Sequence, residues 1–399
     1  MKDAAQSAID LMGKVDPSAS FEVRFWDDDR IRVGDEEPEF VLWFKTRNAL
    51  ARTFGDGFLG FGESYMDEEI EVEGDFRKLF VLGHQMDFGE HSLTLPEKIR
   101  FALLFLRNQN TFGGSRRNVA HAYNLGNDFY RLFLDENMAY TCAYFHTPDD
   151  SLEQAQLNKF DHVCRKLQLA PGERLVDVGC GWGGLLIHAA QHYGITGVGA
   201  TLSEPQAAFA NERIRSLGLQ DRIRVLHQDY REVQGRFDKL SSIGMLEHVG
   251  KKFIPTCVKQ ISELLEPGGL GLLHSIGNDT PYEDDPWTMK YMFPGSHVPA
   301  LEQVVHDLAS YKQSILDIEN LRPHYALTID HWLERFESHF DEICERFDRR
   351  FARQWRLYWL VSTTSFSHGG NRLFQILFSN GLNNDLPLTR DHIYRDTRA

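Results

Sequence analysis

The sequence predicts an α/β chain in which a doubly wound parallel sheet follows a smaller α+β N-terminal domain. Three observations lead there. From Arg174 onward, strand-like and helix-like segments alternate. Before about residue 85 the apolar residues instead come in short runs broken by Asp and Gly. The 42% apolar content over 399 residues supports, at ~150 residues per domain, two or three separate cores.

Taken in order, FEVRFW and IRVGD read as short strands separated by the run Asp27 to Asp29, and FGDGFLGFGESYM as glycine-punctuated turns. LPEKIRFALLFLRNQN reads as a helix with Ile99, Leu103 and Leu106 on one face and Phe101, Leu104 and Phe105 beside it; GGSRRN is expected to break it. RLVDVG, TGVGATL, IRVLHQD, FDKLSSIG and GLGLLHSI then read as strands, separated by helices at GLLIHAAQHYG, PQAAFANERIRSLG and VKQISELL. That rhythm puts helices on both faces of a parallel sheet and its ligand at the carboxyl ends of the strands. After about residue 328 one long helix is expected, with Trp332, Phe336, Phe340, Ile343, Phe347, Phe351 and Trp355 as its packing stripe. The Arg-rich flank from Arg346 to Arg356 is left for a surface role. The predicted division is residues 1–92, a connector 93–135 and a catalytic domain 136–399.

A formal charge of −15 argues against general nucleic-acid binding, which needs clustered Lys and Arg. The charge is uneven. Residues 1–90 hold 21 acidic and 10 basic side chains, whereas Lys98, Arg100, Arg107, Arg116 and Arg117 precede Asn127 with no acid among them. Five cysteines with no paired spacing fit a reducing compartment, and no CxxC metal pattern is present. MKDAAQSAIDLMGKVDPS lacks the layout of a signal peptide, and no run approaches the ~18 apolar residues that span a bilayer. The expectation is a cytoplasmic protein, or one peripheral to a membrane.

Asp177-Val-Gly179-Cys-Gly181-Trp-Gly183-Gly184 follows a strand and opens a helix, where closely spaced glycines let a ligand approach the backbone. A dinucleotide site would want an acid ~20 residues further on for the ribose. That stretch offers none, and the acid precedes the glycines, so a smaller nucleoside fits better. The arrangement resembles the Rossmann-like adenosylmethionine-dependent methyltransferase fold. That resemblance implies contacts from the glycine loop to the amino-acid end of the cofactor, from Thr201, Leu202, Ser203 and Gln206 to its ribose, and from Asp229 and Tyr230 to its adenine. Asp177 has a plainer alternative role, accepting backbone N–H groups within the loop.

Four further segments, HAYNLGNDFYRLFLDENMAYTCAYF, SIGMLEHVG, LLHSIG and LRPHYALTIDHW, together resemble the cyclopropane fatty acid synthase family and its mycolic acid cyclopropane synthase relatives. The resemblance spans about residues 115–395 and, more weakly, the N-terminal domain, which is similar to the lipid-binding extension of the phospholipid enzymes. It implies methyl transfer from S-adenosyl-L-methionine to a cis double bond of a phospholipid acyl chain. The cation left on the chain then loses a proton and the ring closes. In that family the base is a bound bicarbonate, and the matching positions are Cys142, Glu247, His274, Ile276 through its backbone, and Tyr325. His and Tyr donate, the main chain donates, and Glu accepts the hydrogen that bicarbonate carries. Tyr140 and Thr141 match cofactor contacts, and Tyr291, Phe293 and Tyr144 are expected cation stabilisers. A cysteine often found near the family's C-terminus falls on Ser362, which removes a candidate thiol and leaves the bicarbonate scheme intact. Cys142 is assigned to anion binding or packing.

The basic, apolar 98–117 segment either faces anionic lipid or packs as an inter-domain helix. The resemblance also implies a homodimer. A methyl-branched or methylene-bearing product remains the alternative outcome. An N- or O-methyltransferase would leave Glu247, His274 and Tyr325 unexplained, and a lipid-binding scaffold would bind no cofactor.

Overall fold

The computed structural model describes residues 2–85, 109–123 and 125–394. The expected helix over 95–110, with Lys98, Arg100 and Arg107, lies almost wholly outside them. The chain packs as two units, one of residues 1–104, 285–292 and 329–370, the other of 105–284, 293–328 and 371–399. The linear division expected from sequence differs, because residues 329–370 pack with the N-terminal residues and not with the large sheet.

In the first unit, β1 (Phe21–Arg24), β2 (Arg30–Val33), β3 (Phe40–Phe44) and β4 (Ile70–Gly74) form a sheet in the order β2-β1-β3-β4. Period-two alternation sends Phe21, Val23, Phe40, Leu42 and Phe44 inward, and the Phe21 and Phe40 rings stack 5.1 Å apart. The segment expected to be turns, FGDGFLGFGESYM, is instead the second half of a helix, Arg47–Met66, kinked at Gly57. Close approach explains Gly62, where a β-carbon would stand 2.5 Å from the indole of Trp287, which is 1% exposed.

The single long helix expected after residue 328 is three, Arg322–Ser338, Phe340–Arg346 and Arg349–Ser367. Asp348 is extended there, and its carboxylate caps the last helix by accepting from the Phe351 N–H at 2.6 Å. Trp332, Phe336, Phe340, Ile343 and Trp355 are buried, as a packing stripe requires. The arginine flank is not a free surface. Arg349 pairs with Glu68 at 3.0 Å, Arg350 with Asp67 at 2.9 Å, and Arg356 with Glu337.

In the second unit, β5 (Arg174–Val178), β6 (Thr196–Thr201), β7 (Ile223–His227), β8 (Phe237–Ile243), β9 (Leu265–Gly277), β10 (Gln313–Asn320) and β11 (Arg372–Asn380) form one sheet. Its order is β10-β11-β9-β8-β5-β6-β7, parallel from β9 to β7, with β11 antiparallel to both neighbours. Helices Gly184–Tyr193 and Glu204–Ser216 cover the face carrying Leu175, Leu270 and Leu272. Helices Ile254–Leu264 and Leu301–Ser310 cover the face carrying Val176, Val178 and Leu273. The strand order reverses at β5, which makes the carboxyl ends of β5 and its neighbour β8 the crevice for a ligand.

GGSRRN does not break a helix. It lies within Phe112–Tyr123, its glycines in the first turn, where the N–H groups lack intrahelical acceptors anyway and Gly114 donates to the Thr111 hydroxyl at 3.2 Å.

Arg353 is 2% exposed, donating to the carbonyls of Tyr65 (2.6 Å) and Ile70 (2.8 Å) and to both carboxylate oxygens of Glu71 (3.1 Å). Arg353→Met should therefore destabilise the protein by ~3 kcal/mol, since it strands two carbonyls and leaves the Glu71 carboxylate with Lys45, at 3.1 Å, in place of two cations. Urea or thermal unfolding followed by tryptophan fluorescence checks this; an unchanged midpoint refutes it.

Candidate active site

β5 ends at Val178, and the N–H groups of Gly179 and Cys180 both donate to the Ala200 carbonyl at the end of β6 (2.9 and 3.0 Å). The loop is thereby fixed to the end of β6, beside the switch point. Gly179 has φ 80°, and a β-carbon on it would meet Met245 Cγ at 2.5 Å, so neither the conformation nor the space admits a side chain. Above the loop lies a cavity lined by Tyr140, Thr141, Asp177, Gly179, Gly181, Thr201, Leu202, Gln206 and Tyr230, nine of the twelve positions expected for the cofactor.

The other three, Gly183, Ser203 and Asp229, stand outside the lining. Gly183 and Ser203 precede the two helices that follow β5 and β6. Asp229, assigned from the resemblance to the adenine, instead gives both carboxylate oxygens to Arg231 (2.8 and 2.6 Å) and caps the turn Tyr230–Glu232. Asp177, 3% exposed, accepts from the Ser241 hydroxyl at 2.7 Å, and burial raises its pKa to about 6. Thr201 Oγ1 and Gln206 Oε1 are 2.7 Å apart. The Tyr230 hydroxyl is buried with no partner, the kind of orphaned group a ligand would satisfy.

Of the five positions matched to the anion, two, Glu247 and Ile276, are joined directly. β9 carries His274 and Ile276, and Glu247 follows β8 on a short turn, Leu246–His248. Glu247 Oε1 accepts from the Ile276 N–H at 2.5 Å, so the main-chain donor expected for the anion is taken by the carboxyl group. Glu247 Oε2 is buried without a partner, and desolvation lifts its pKa to about 7. His274 Nδ1 lies 3.0 Å from the Gln375 amide nitrogen, which leaves the proton on Nε2, also buried without a partner. Burial holds His274 neutral by pushing its pKa well down.

Cys142 is buried and donates its thiol proton to the Ala143 carbonyl at 3.2 Å; desolvation pushes its pKa well above that of a free thiol, which suits packing or weak donation and not a nucleophile. Tyr325 is half-buried on the first turn of Arg322–Ser338; Thr328, one turn on, accepts from the Ala143 N–H at 3.0 Å and so ties that helix to the Cys142 segment. The expected aromatic groups separate. Phe293 packs edge-on to His248, a cavity residue held neutral by burial, with its pKa down at about 4. Tyr144 lies between the rings of His162 (4.2 Å) and His324 (4.6 Å), while Tyr291 belongs to the first unit and donates to Glu63.

Two residues on the helix Leu152–Lys166 were missed by sequence reasoning. Gln156 donates to the carbonyls of Ala139 (3.3 Å) and Thr141 (2.8 Å), and Lys159 donates to Thr141 Oγ1 (2.8 Å). The signal was there: Leu152, Ala155, Gln156, Lys159, Phe160 and Val163 fall at helical spacing on one face, so two polar residues interrupt an apolar stripe. The segment before Tyr123 was also undervalued, since Asn110, Ser115, Val119 and Tyr123 line the cavity.

Comparison with known proteins places this geometry. A family model described as mycolic acid cyclopropane synthetase matches residues 113–376, and a domain of unknown function matches residues 11–87. The chain is 32% identical over 388 residues to a probable fatty acid methyltransferase of Pseudomonas putida, covering 94% of this chain and 96% of that one. It is 35% identical over 351 residues to the cyclopropane-fatty-acyl-phospholipid synthase of Escherichia coli K12, covering 87% and 89%. A mycolic acid cyclopropane synthase solved with SAH and CTAB superposes with a TM-score of 0.63 at 28% identity, covering 66% of this chain and 98% of that one.

The open carboxyl oxygen of Glu247 makes a stability prediction. Its folded pKa, about 7, lies above the ordinary 4.5. The native state therefore holds the extra proton, and wild-type stability is lost as pH rises from 4.5 to 7. Relative to wild type, Glu247→Gln should be neutral below pH 4.5 and more stable by up to ~3 kcal/mol above pH 7. Denaturant titrations at pH 4.5 and 8 check it; equal midpoints at both would refute it.

Proposed function

The chain belongs to the mycolic acid cyclopropane synthetase family of adenosylmethionine-dependent methyltransferases, and from that premise we propose that it converts the cis double bond of unsaturated phospholipid acyl chains to a cyclopropane. One-carbon transfer to lipid acyl chains is the common ground of the fatty acid methyltransferase and the phospholipid synthase it is similar to. The finer reading rests on one observation. A buried donor, His274 Nε2–H, and a buried acceptor, Glu247 Oε2, both lack partners, in segments that flank the cofactor cavity. A methyl transfer to a heteroatom needs neither.

The residues present fit the cofactor. The backbone at Gly179 and Gly181 admits close approach, Asp177, Thr201 and Gln206 offer polar contacts, and the Tyr230 hydroxyl awaits a partner. Tyr140 and Thr141 complete the set. When bound, S-adenosyl-L-methionine supplies an electrophilic methyl group. Trp182, Leu185, Ile243, Met245 and Val249 keep the remaining wall apolar and exclude water from a reaction whose nucleophile is weak. Cys142, Glu247, His274 and Tyr325 are the groups proposed to hold bicarbonate, which supplies the base. Ile276 acts through Glu247, its N–H fixing one carboxyl oxygen so that the other stays open. Neutral His274 donates, and Glu247, poised near neutrality, accepts the hydrogen of the anion.

The substrate reading puts the protein at a membrane surface, and the family resemblance alone suggests a homodimer. No helix among the described residues is long and apolar enough to cross a membrane. Arg116 is 62% exposed at the side chain, 3.6 Å from Glu232, and Arg117 beside it is exposed. Changing both to Gln should weaken binding to anionic vesicles several-fold at low salt and leave it unchanged at high salt, read by co-sedimentation.

Incubation with labelled S-adenosyl-L-methionine and vesicles of unsaturated phospholipid, in saturating bicarbonate, should add one methylene to the acyl chain by mass spectrometry. An added methylene on a chain that still carries a double bond, read by double-bond derivatisation before mass spectrometry, would instead establish the methylene-bearing product; a saturated methyl branch needs a hydride donor added to the mixture. Glu247→Ala and His274→Ala should each reduce turnover at least ~100-fold while leaving S-adenosylhomocysteine affinity within a few-fold. Loss of cofactor binding in either variant would overturn the assignment.

A further inference from the structure

The anion-holding set has an electrostatic deficit. His274 is neutral, Cys142 keeps its proton, and Glu247 is either neutral or negative. Nothing in the set is positive, yet a buried anion needs a paired charge. Lys166, buried nearby in sequence, is committed to Glu319 at 2.5 Å. Lys159 is not committed. It is 1% exposed, and among the described residues no carboxylate comes within the 4.0 Å of an ion pair; its ammonium bonds only the neutral hydroxyl of Thr141, at 2.8 Å. Thr141 adjoins Cys142, and the charge of Lys159 acts on Cys142, His274 and Asp177 alike. Lys159 also lines the cofactor cavity.

The geometry points to Lys159 as a positioning residue for the anion: its ammonium, pinned in the cofactor cavity by Oγ1 of Thr141, the residue next to Cys142, is the counter-charge that lets neutral donors hold a bicarbonate-type oxyanion. This rests on the anion reading above. Burial lowers the Lys159 pKa to about 8, so the counter-charge is present at neutral pH and lost as pH rises through 8.

The test is calorimetric titration of bicarbonate into the full-length protein saturated with S-adenosylhomocysteine, alongside titration of S-adenosylhomocysteine itself. Lys159→Gln keeps a donor for Thr141 and removes the charge; it should weaken bicarbonate binding about tenfold or more and leave S-adenosylhomocysteine affinity within about threefold. Lys159→Arg should restore most of the bicarbonate affinity. Wild-type protein, corrected for carbonate speciation, should lose affinity between pH 7.5 and 9, a measurement that needs no variant to fold. If Lys159→Gln binds bicarbonate as wild type does, or loses only S-adenosylhomocysteine, or if wild-type affinity is flat across that range, the proposal falls. If wild type binds no bicarbonate at any pH, the anion reading itself fails, and Lys159 with it.

Discussion

A parallel sheet covered on both faces leaves its chain one place to put polar groups, the ends of its strands. β5 shows the constraint. Leu175 is buried in one layer, Val176 and Val178 in the other, and the buried polar side chain of the strand is Asp177, next to its carboxyl end. β6 likewise ends in Thr201, and β8 and β9 end beside Glu247 and in His274, Ser275 and Ile276. The chemistry of the chain therefore collects along one edge of the sheet, while the polar side chains deeper in it, Lys239, Ser241 and Gln375, each bond a neighbour. Every other feature of the site follows from having to satisfy, or deliberately leave open, the polar atoms gathered there.

Satisfaction is nearly complete on the cofactor side. Asp177 has Ser241, Thr201 has Gln206, and Asp229 has Arg231. On the other side Glu247 and His274 each spend one polar atom on a neighbour that orients the group and keep the second free. A residue half-bonded in this way is held in place and still has something to offer. Orientation by a partner on β9 or β11 makes the offer directional.

Much of this was legible in the sequence because strand ends announce themselves: a short apolar stretch that stops at Asp177 after Leu175 and Val176, or at Thr201 after Val198 and Ala200, marks both the strand and the exit of the polar group. What was not legible depended on contacts far apart in sequence. The glycines from Gly55 to Gly62 look like turns until Trp287 is packed against Gly62, and the break after Arg346 is set by the capping geometry of Asp348, which a seven-residue apolar stripe conceals. The destination of the Ile276 N–H depended on how the Glu247 turn folds over β9. Lys159 and Gln156 were readable as polar residues on a buried face, but the face's partner, the 139–141 segment, was not.

The charge asymmetry also changes meaning once the chain is folded. The acids of residues 63–71 and the arginines of 349–353 sit nearly three hundred positions apart, and within the first unit they neutralise each other. Arg353 carries a consequence for how such a chain can diverge. Two of the residues it bonds, Tyr65 and Ile70, contribute main-chain carbonyls, which no substitution at those positions removes. The surroundings can drift while the demand for a planar, three-sided donor stays fixed. A lysine could meet only part of that demand, so position 353 is the member of the group that mutation can least afford to exchange.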